Sequence, residues 1–286
     1  MLHDFARKAV GAKNHEPIRD ALRRHEVCAL SKIDRSIIYQ DDLRLALRSV
    51  GINPGDIVMV HCGWRSFYGY MRGGGSLSSL VDMLRALVGD SGTLLMPSYG
   101  YSKDFFDVRN TPSNAGALSE VFRLQADVVR SAVPHFAIAG IGPATEMLFQ
   151  DSFNCSYGFD DCAPYTKFLH VGGKVLLLGL QKHPCKISAF HRGIWLAESN
   201  EHIPPDWVQQ DHMHLIDECG NAEERLVLRK RAGIKNDNAV FRAAFDRVPK
   251  EQVNLGALNI CCFKGSSAVD VAFAWSRAGR FLYRGM

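Results

Sequence analysis

Gly55-Asp-Ile-Val-Met-Val60 opens a segment that runs through a helical pattern at Leu77–Val88 to Gly92-Thr-Leu-Leu-Met-Pro97. Four apolar residues in a row, Ile57 to Val60, directly after Gly55-Asp56, fit a strand buried on both faces. Residues 77–88 place their apolar side chains at helical spacing. The second apolar run, at 93–96, fits another buried strand. Strand, helix and strand in so short a stretch predict a βαβ unit, and with it an α/β protein whose neighbouring strands run parallel.

Working outward, Val175-Leu-Leu-Leu-Gly179 reads as a further buried strand and Ala117–Leu124 as a helix. Gly256-Ala-Leu-Asn-Ile-Cys-Cys-Phe263 reads as a late strand, followed by a closing helix over Ser267–Arg277. The expected architecture is an α/β layered sandwich around a mixed, largely parallel sheet. Upstream, Ile37, Ile38, Leu43, Leu45, Ala46 and Leu47 predict a helix within 36–50, stopped by Gly51 and Pro54. The charge-rich start, with helical spacing over Pro17–His25, predicts a helical extension over residues 1–40 attached to a single α/β domain over 41–286. Residues 206–235 are more polar and less periodic than the rest.

Composition narrows the function classes. Of 286 residues 47% are apolar, and 34 Lys and Arg against 30 Asp and Glu leave a net charge of +4 with no polybasic stripe. Nucleic-acid binding is therefore not expected. The longest clean apolar run, Val175–Leu180, is far shorter than the roughly 18 residues that cross a bilayer, and Asp4, Arg7 and Lys8 interrupt any signal-like start. A cytoplasmic protein is expected, with no membrane partner. Eight dispersed cysteines without a Cys-x-x-Cys pair are expected to be reduced thiols, with neither a disulfide framework nor a structural metal site. His212-Met-His214 and His183-Pro-Cys185, the densest ligand-like clusters, read as solvated loops.

The first predicted strand runs into His61-Cys-Gly-Trp-Arg-Ser66, which puts polar groups and backbone donors beyond the carboxyl end of a parallel strand, where open α/β sheets bind ligands. Gly69 and Gly73-Gly-Gly75 allow close backbone approach, and the helix at Leu77 offers its N-terminus to an anion. These glycines match neither a dinucleotide fingerprint nor a Walker loop, so an ordinary flexible turn stands beside a phosphate cradle.

Longer stretches carry a family likeness. Gly55–Ser66, Gly92-Thr-Leu-Leu-Met-Pro-Ser-Tyr99, Arg130-Ser131 with Ala139 and Gly142, and Gly173–Gly179 all take part. The most specific is Phe106-Asp-Val-Arg-Asn-Thr-Pro-Ser-Asn-Ala-Gly-Ala-Leu-Ser-Glu-Val-Phe-Arg123. Together they resemble the aminoglycoside 3-N-acetyltransferases, a family that transfers an acetyl group from acetyl-CoA to an amine and differs in fold from the GNAT enzymes. The resemblance implies acetyl-CoA as co-substrate, no metal, and an aminoglycoside or related amino sugar as acceptor. By position it assigns cofactor contacts to His61, Cys62, Gly63, Trp64, Ser66, Thr111, Ser113 and Gly116. On local chemistry alone Thr111-Pro-Ser113 reads equally as a helix cap. The oligomeric state stays open, with a homo-oligomer among the options.

The same resemblance implies a catalytic histidine in a T-x-x-H-x-x-E stretch, which Ser188-Ala-Phe-His191 matches with Ser for Thr, while Ile194 stands at the glutamate position. His191 is the expected general base, since an amino sugar's ammonium must lose a proton before its nitrogen attacks the thioester. Glu224, with Glu223 and Glu198 as alternatives, is the expected carboxylate beside the imidazole. Ser188, or backbone N–H groups near Cys62–Trp64, is the expected donor to the thioester oxyanion. Arg225, Arg229, Lys230 and Arg231 fall where the family is acidic, which fits either an anionic acceptor such as a nucleotide-linked amino sugar or, equally, a solvated basic face. A Cys/His amidase built on Cys62 or Cys185, and a non-catalytic CoA-binding protein, are the competing readings.

Overall fold

The computed structural model describes residues 35–100, 102, 104–180, 182–199 and 204–285; most of the expected extension over 1–40, including the helix at Pro17–His25, lies outside them. Twelve strands are present among the described residues: β1 (Ile57–Cys62), β2 (Thr93–Pro97), β3 (Phe105–Asp107), β4 (Val129–Arg130), β5 (Ile138–Ile141), β6 (Lys174–Leu178), β7 (Val208–Ile216), β8 (Ala222–Lys230), β9 (Lys235–Asn236), β10 (Glu251–Leu255), β11 (Leu258–Lys264) and β12 (Tyr283–Arg284). The longer helices are α1 (Gln40–Ser49), α2 (Leu77–Val88), α3 (Ala117–Arg123), α4 (Pro164–His170), α5 (Ser188–Glu198), α6 (Asn238–Phe245) and α7 (Gly265–Arg277).

Seven strands form the central sheet in the order β10-β11-β6-β1-β2-β5-β4. β1 lies parallel between β6 and β2, while β5 and β11 oppose their neighbours, so five of the seven strands share one direction. The predicted βαβ unit is present as β1-α2-β2 at the sheet's centre, and the layered α/β architecture is as expected.

Strand alternation divides the core into two layers. Val58, Val60, Leu94, Met96, Leu176 and Leu178 face α1, α2 and α3. Met59, Leu95, Val175, Leu177, Cys261 and Phe263 face α4 to α7 on the other side. Consecutive side chains of a strand point to opposite faces, so an unbroken apolar run is what a sheet covered on both sides requires. α2 starts where the Ser76 side chain accepts from the Ser79 N–H at 3.0 Å and stops at Gly89, whose φ of +65° favours glycine.

The polar, less periodic region 206–235 holds regular structure. β7 and β8 pair as a long antiparallel hairpin, and β3 adds in parallel to β7. This small sheet covers a core of Phe106, Val108, Ala132, Ala137, Met213, Leu215 and Val227. Only one face of the hairpin is buried, so its sequence is mostly polar and the alternation is easily missed. His212 and His214 accordingly lie on a strand, not in a loop. The helix at 36–50 begins only at Gln40, where Asp42 accepts from the Tyr39 N–H. Cys155 and Cys162 form a disulfide, with their Cα atoms 6.1 Å apart, against the expectation of reduced thiols throughout. A tight turn, in which Asp160 accepts from the Tyr157 N–H, lies between them.

Candidate active site

The carboxyl ends of β1 and β2 and the start of α5 meet at a small cleft lined by Met59, Pro97, Phe136, Ile138, Tyr165 and Ser188. His61 leaves β1 on the same face as Met59, beside Leu177 of β6, and is 5% exposed. Its Nε2 has no hydrogen-bond partner among the described residues. Burial, and then the neighbouring His191, push it down to about 4. Ser188 opens α5, and His191 follows one turn later.

Both ring nitrogens of His191 are engaged: Nδ1 lies 2.5 Å from the Tyr283 hydroxyl and Nε2 lies 2.8 Å from the Cys185 carbonyl oxygen. A carbonyl oxygen only accepts, so Nε2 carries the proton, and Nδ1 accepts from the phenol. Burial, then the Lys230 charge, push His191 down to about 4, against the opposing effect of the Cys185 carbonyl. The ring is neutral in this arrangement.

The expected carboxylate is not on the imidazole. Glu224 sits on the exposed face of β8 with its carboxylate 3.5 Å from His212 Nδ1. Glu223 pairs with Arg225 at 3.0 Å. Glu198 accepts from Trp207 Nε1 at 2.8 Å, and burial raises it above the usual carboxylate range. Ile194, at the position where the resemblance expects glutamate, is fully buried in the core. A carboxylate there would be desolvated without a partner.

The expected cofactor loops come together. Gly63 lies so close to the turn after β6 that a Cβ would stand 2.8 Å from the Gly179 carbonyl oxygen. Gly116, which precedes α3 with φ +130°, lies against the Cys62 carbonyl. Several of the side chains, however, are committed internally. Ser66 donates to the Gly179 carbonyl at 3.3 Å. Thr111 accepts from the Asp107 N–H at 2.8 Å, and Ser113 accepts from the Ala115 N–H at 3.2 Å. Neither Thr111 nor Ser113 caps α3, since Gly116 holds that position. Trp64 stacks on Phe67 at 5.0 Å between centroids. The hydroxyls of Ser66, Thr111 and Ser113 are thus engaged within the protein, while Gly63 and Gly116 leave the backbone open to close approach.

Burial pushes the Cys62 thiol far above its ordinary range, which removes the thiolate that an amidase nucleophile needs. Cys185 meets His191 through its carbonyl oxygen. The basic segment is likewise largely paired: Arg225 with Glu223, Arg229 with Asp211, and Arg231 with the Val208 carbonyl. Lys230 lies over the Tyr283 ring at 4.8 Å and donates to Asn236. With those pairings the segment presents little unpaired positive charge to an anionic acceptor. Tyr283, Tyr165 and the Cys185 carbonyl escaped sequence reasoning, since nothing local to residue 283 announces a contact 92 positions away.

Three histidines, the buried His61 and the half-buried His135 and His191, are each lowered to about 4. A histidine kept neutral by the fold is protonated on unfolding below its ordinary value of 6.5, so the unfolded chain binds more protons and stability falls as pH drops from 6.5 towards 4. The expected slope is about 1.4 kcal/mol per pH unit for each histidine. Urea unfolding at pH 7 and pH 5 measures it, and equal midpoints would exclude it.

Among the described residues, no group of three or more His, Cys, Asp and Glu side chains is arranged to hold a metal, and no helix is long and apolar enough to cross a membrane. Residues 59–277 match the family model described as aminoglycoside 3-N-acetyltransferase. The chain is 34% identical to aminoglycoside N(3)-acetyltransferase IV of Salmonella sp over 137 residues, covering 47% of this chain and 51% of that protein. It is 30% identical to aminoglycoside N(3)-acetyltransferase III of Serratia marcescens over 158 residues, covering 46% and 56%. These alignments thus span about half the length of the curated relatives. Among solved structures, AAC-IIIb in binary complex with CoASH superposes with a TM-score of 0.71 at 19% identity, covering 85% of this chain and 98% of that one. AAC-VIa bound to sisomicin gives 0.70 at 22%, covering 85% and 99%. The two structural likenesses establish the fold.

Proposed function

The chain belongs to the aminoglycoside 3-N-acetyltransferase family, and from that membership we propose that it transfers the acetyl group of acetyl-CoA to a primary amine of an aminoglycoside or related amino sugar. The observation that carries the reading is His191, a half-buried histidine lowered to about 4, one turn after Ser188, which lines the cleft at the central strands.

On this reading the amine nitrogen attacks the thioester carbon, the C–S bond breaks, and CoA leaves as the thiol once it has gained a proton. The proton lost by the amine goes to His191 at Nδ1, the ring nitrogen that holds an electron pair, and this step requires the Tyr283 hydroxyl that donates there to turn aside for the amine. The Nε2–H of the resulting imidazolium stays on the Cys185 carbonyl. Ser188 at the cleft, with backbone N–H groups of the loop after β1, is assigned to the thioester oxyanion. Acetyl-CoA would lie against the loops at Cys62–Ser66 and Ser113–Gly116, where glycine lets the backbone approach closely. That two CoA and aminoglycoside complexes share the fold supports this placement.

Thiol release from acetyl-CoA is expected only when an acceptor amine is present, with gentamicin-type aminoglycosides turning over faster than UDP- or dTDP-linked amino sugars. Thiol release that ignores the amine would point to hydrolysis, and preference for the sugar nucleotides would overturn the acceptor assignment.

A further inference from the structure

We propose that the Tyr165 hydroxyl is a catalytic group that donates to the carbonyl oxygen of the bound acetyl thioester from the wall of the cleft. The proposal rests on the acetyl-transfer reading given above. It starts from where the phenol stands. Tyr165 belongs to the first turn of α4, and its ring packs on Phe159, at 6.2 Å between centroids, and on Phe168, at 5.6 Å. From there it reaches the start of α5, where the Ala189 N–H acts on the phenol oxygen. Ser188, the preceding residue, lines the same cleft as Tyr165. The hydroxyl therefore sits at the end of the cleft formed by the first turn of α5.

The phenol proton has no acceptor there. Tyr165 is 2% exposed, and its oxygen forms no hydrogen bond among the described residues. The Ala189 N–H can only donate to that oxygen, so it does not meet the need. Burial pushes the phenol far above its ordinary range, which keeps the O–H intact as a donor at neutral pH. A buried hydroxyl without an acceptor costs free energy, and phenylalanine would pack against Phe159 and Phe168 equally well. A partner that arrives with the substrate accounts for the oxygen.

That partner must bring an acceptor oxygen and fit an apolar slot. Met59, Pro97, Phe136 and Ile138 line the same cleft, so the group that enters carries apolar surface beside its oxygen. An acetyl thioester has this form, with a methyl group for the apolar wall and a carbonyl oxygen for the hydroxyls. An ammonium, which has protons only to give, does not. Ser188 is half-buried, so an acyl oxygen entering past it meets the more deeply buried phenol. The N-cap of α5 is Ile187, which offers no side-chain acceptor, so the N–H groups of the first turn add donors at the same end.

As the amine nitrogen adds to the thioester carbon, the carbonyl π pair moves onto oxygen, which takes up negative charge. The Tyr165 O–H and the Ser188 hydroxyl hold that charge by hydrogen bonding, with no proton transferred. The pair returns to the carbon–oxygen bond as the C–S bond breaks. A donor already aimed at the developing charge, in a site shielded from water, needs no reorganisation during the step. Tyr165 meets that condition because a helix and two aromatic neighbours hold it.

The test is Tyr165→Phe in the full chain, which keeps the ring and its packing. The kcat for acetyl transfer should fall about 10²–10³-fold, the loss typical of one oxyanion donor, with the Kd for acetyl-CoA within about twofold of the parent. The thermal midpoint should hold or rise, because the variant removes a buried hydroxyl that lacked an acceptor. Infrared spectra of bound acetyl-CoA, labelled with carbon-13 at the thioester carbonyl, are expected to place the carbonyl band at lower wavenumber in the parent than in Tyr165→Phe. Coincident bands, a kcat within about twofold of the parent, or a thermal midpoint that falls overturns the proposal. Should Tyr165→Phe not fold, 3-fluorotyrosine at position 165 supplies a stronger donor in the same ring, and the band should move further down; an unmoved band overturns the proposal. A parent that binds acetyl-CoA yet transfers to no amine overturns the acetyl-transfer reading, and the infrared comparison then judges the Tyr165 contact by itself.

Discussion

Replacing His191 by alanine is expected to lower kcat for acetyl transfer by about 10²–10⁴-fold, the range ordinarily lost with a general base. Binding of acetyl-CoA should change little, because the cofactor is assigned to the loops after β1 and before α3. The substitution also leaves the Cys185 carbonyl and the Tyr283 hydroxyl without their partner, so some stability is lost with the activity. His191→Gln separates the two effects, since its amide offers both a donor and an acceptor in much the same space. A glutamine variant that recovers the thermal midpoint but not the rate is the expected result. Parent-like transfer by both variants, with every acceptor tried, would remove His191 from the mechanism.

The largest expected loss of stability follows from Arg130→Met. The Arg130 guanidinium is 9% exposed and donates to the carbonyls of Ser98, Thr111 (2.5 Å) and Val108 (3.4 Å), while stacking over Phe106 at 4.6 Å. Burial lowers it to about 10, which leaves it protonated at neutral pH. It ties the end of β2 to the segment that leads into α3. Methionine fills much of the volume but leaves all three carbonyls without the guanidinium, at about 1–3 kcal/mol for each that stays buried and unpaired, so a loss of about 2–5 kcal/mol is expected from urea unfolding. Arg130→Lys should recover only part, because one ammonium does not reproduce a planar fork reaching several acceptors. A change below about 0.5 kcal/mol, as for an ordinary surface site, would show that the staple is dispensable.

Much of the fold could be read in advance because its signals are local. Unbroken apolar runs at 57–60, 93–96 and 175–178 are sufficient for doubly covered strands, and the helix at Leu77–Val88 was legible to the residue. Where burial is one-sided the signal is weaker, and the β7–β8 hairpin shows in sequence only as a polar, less periodic stretch. Charge was misleading in a different way. Arg225, Arg229 and Arg231 look like a basic surface in sequence, yet each has a partner supplied by its neighbour on the hairpin or by a backbone carbonyl.

The site divides along the same line. Sequence by itself determined which histidine matches the family's T-x-x-H pattern, which loops follow the central strands, and which family these patterns resemble, because motif spacing along one element is a covalent property. Only the tertiary structure decided what touches His191. Glu224 lies in the expected stretch but faces solvent, Glu198 is turned into the core towards Trp207, and a tyrosine from the far end of the chain occupies the nitrogen instead. A buried polar atom bonds whichever group chain closure brings within about 3 Å, and that choice is made by the packing of β9, β12 and α6, which no local pattern around residue 191 records.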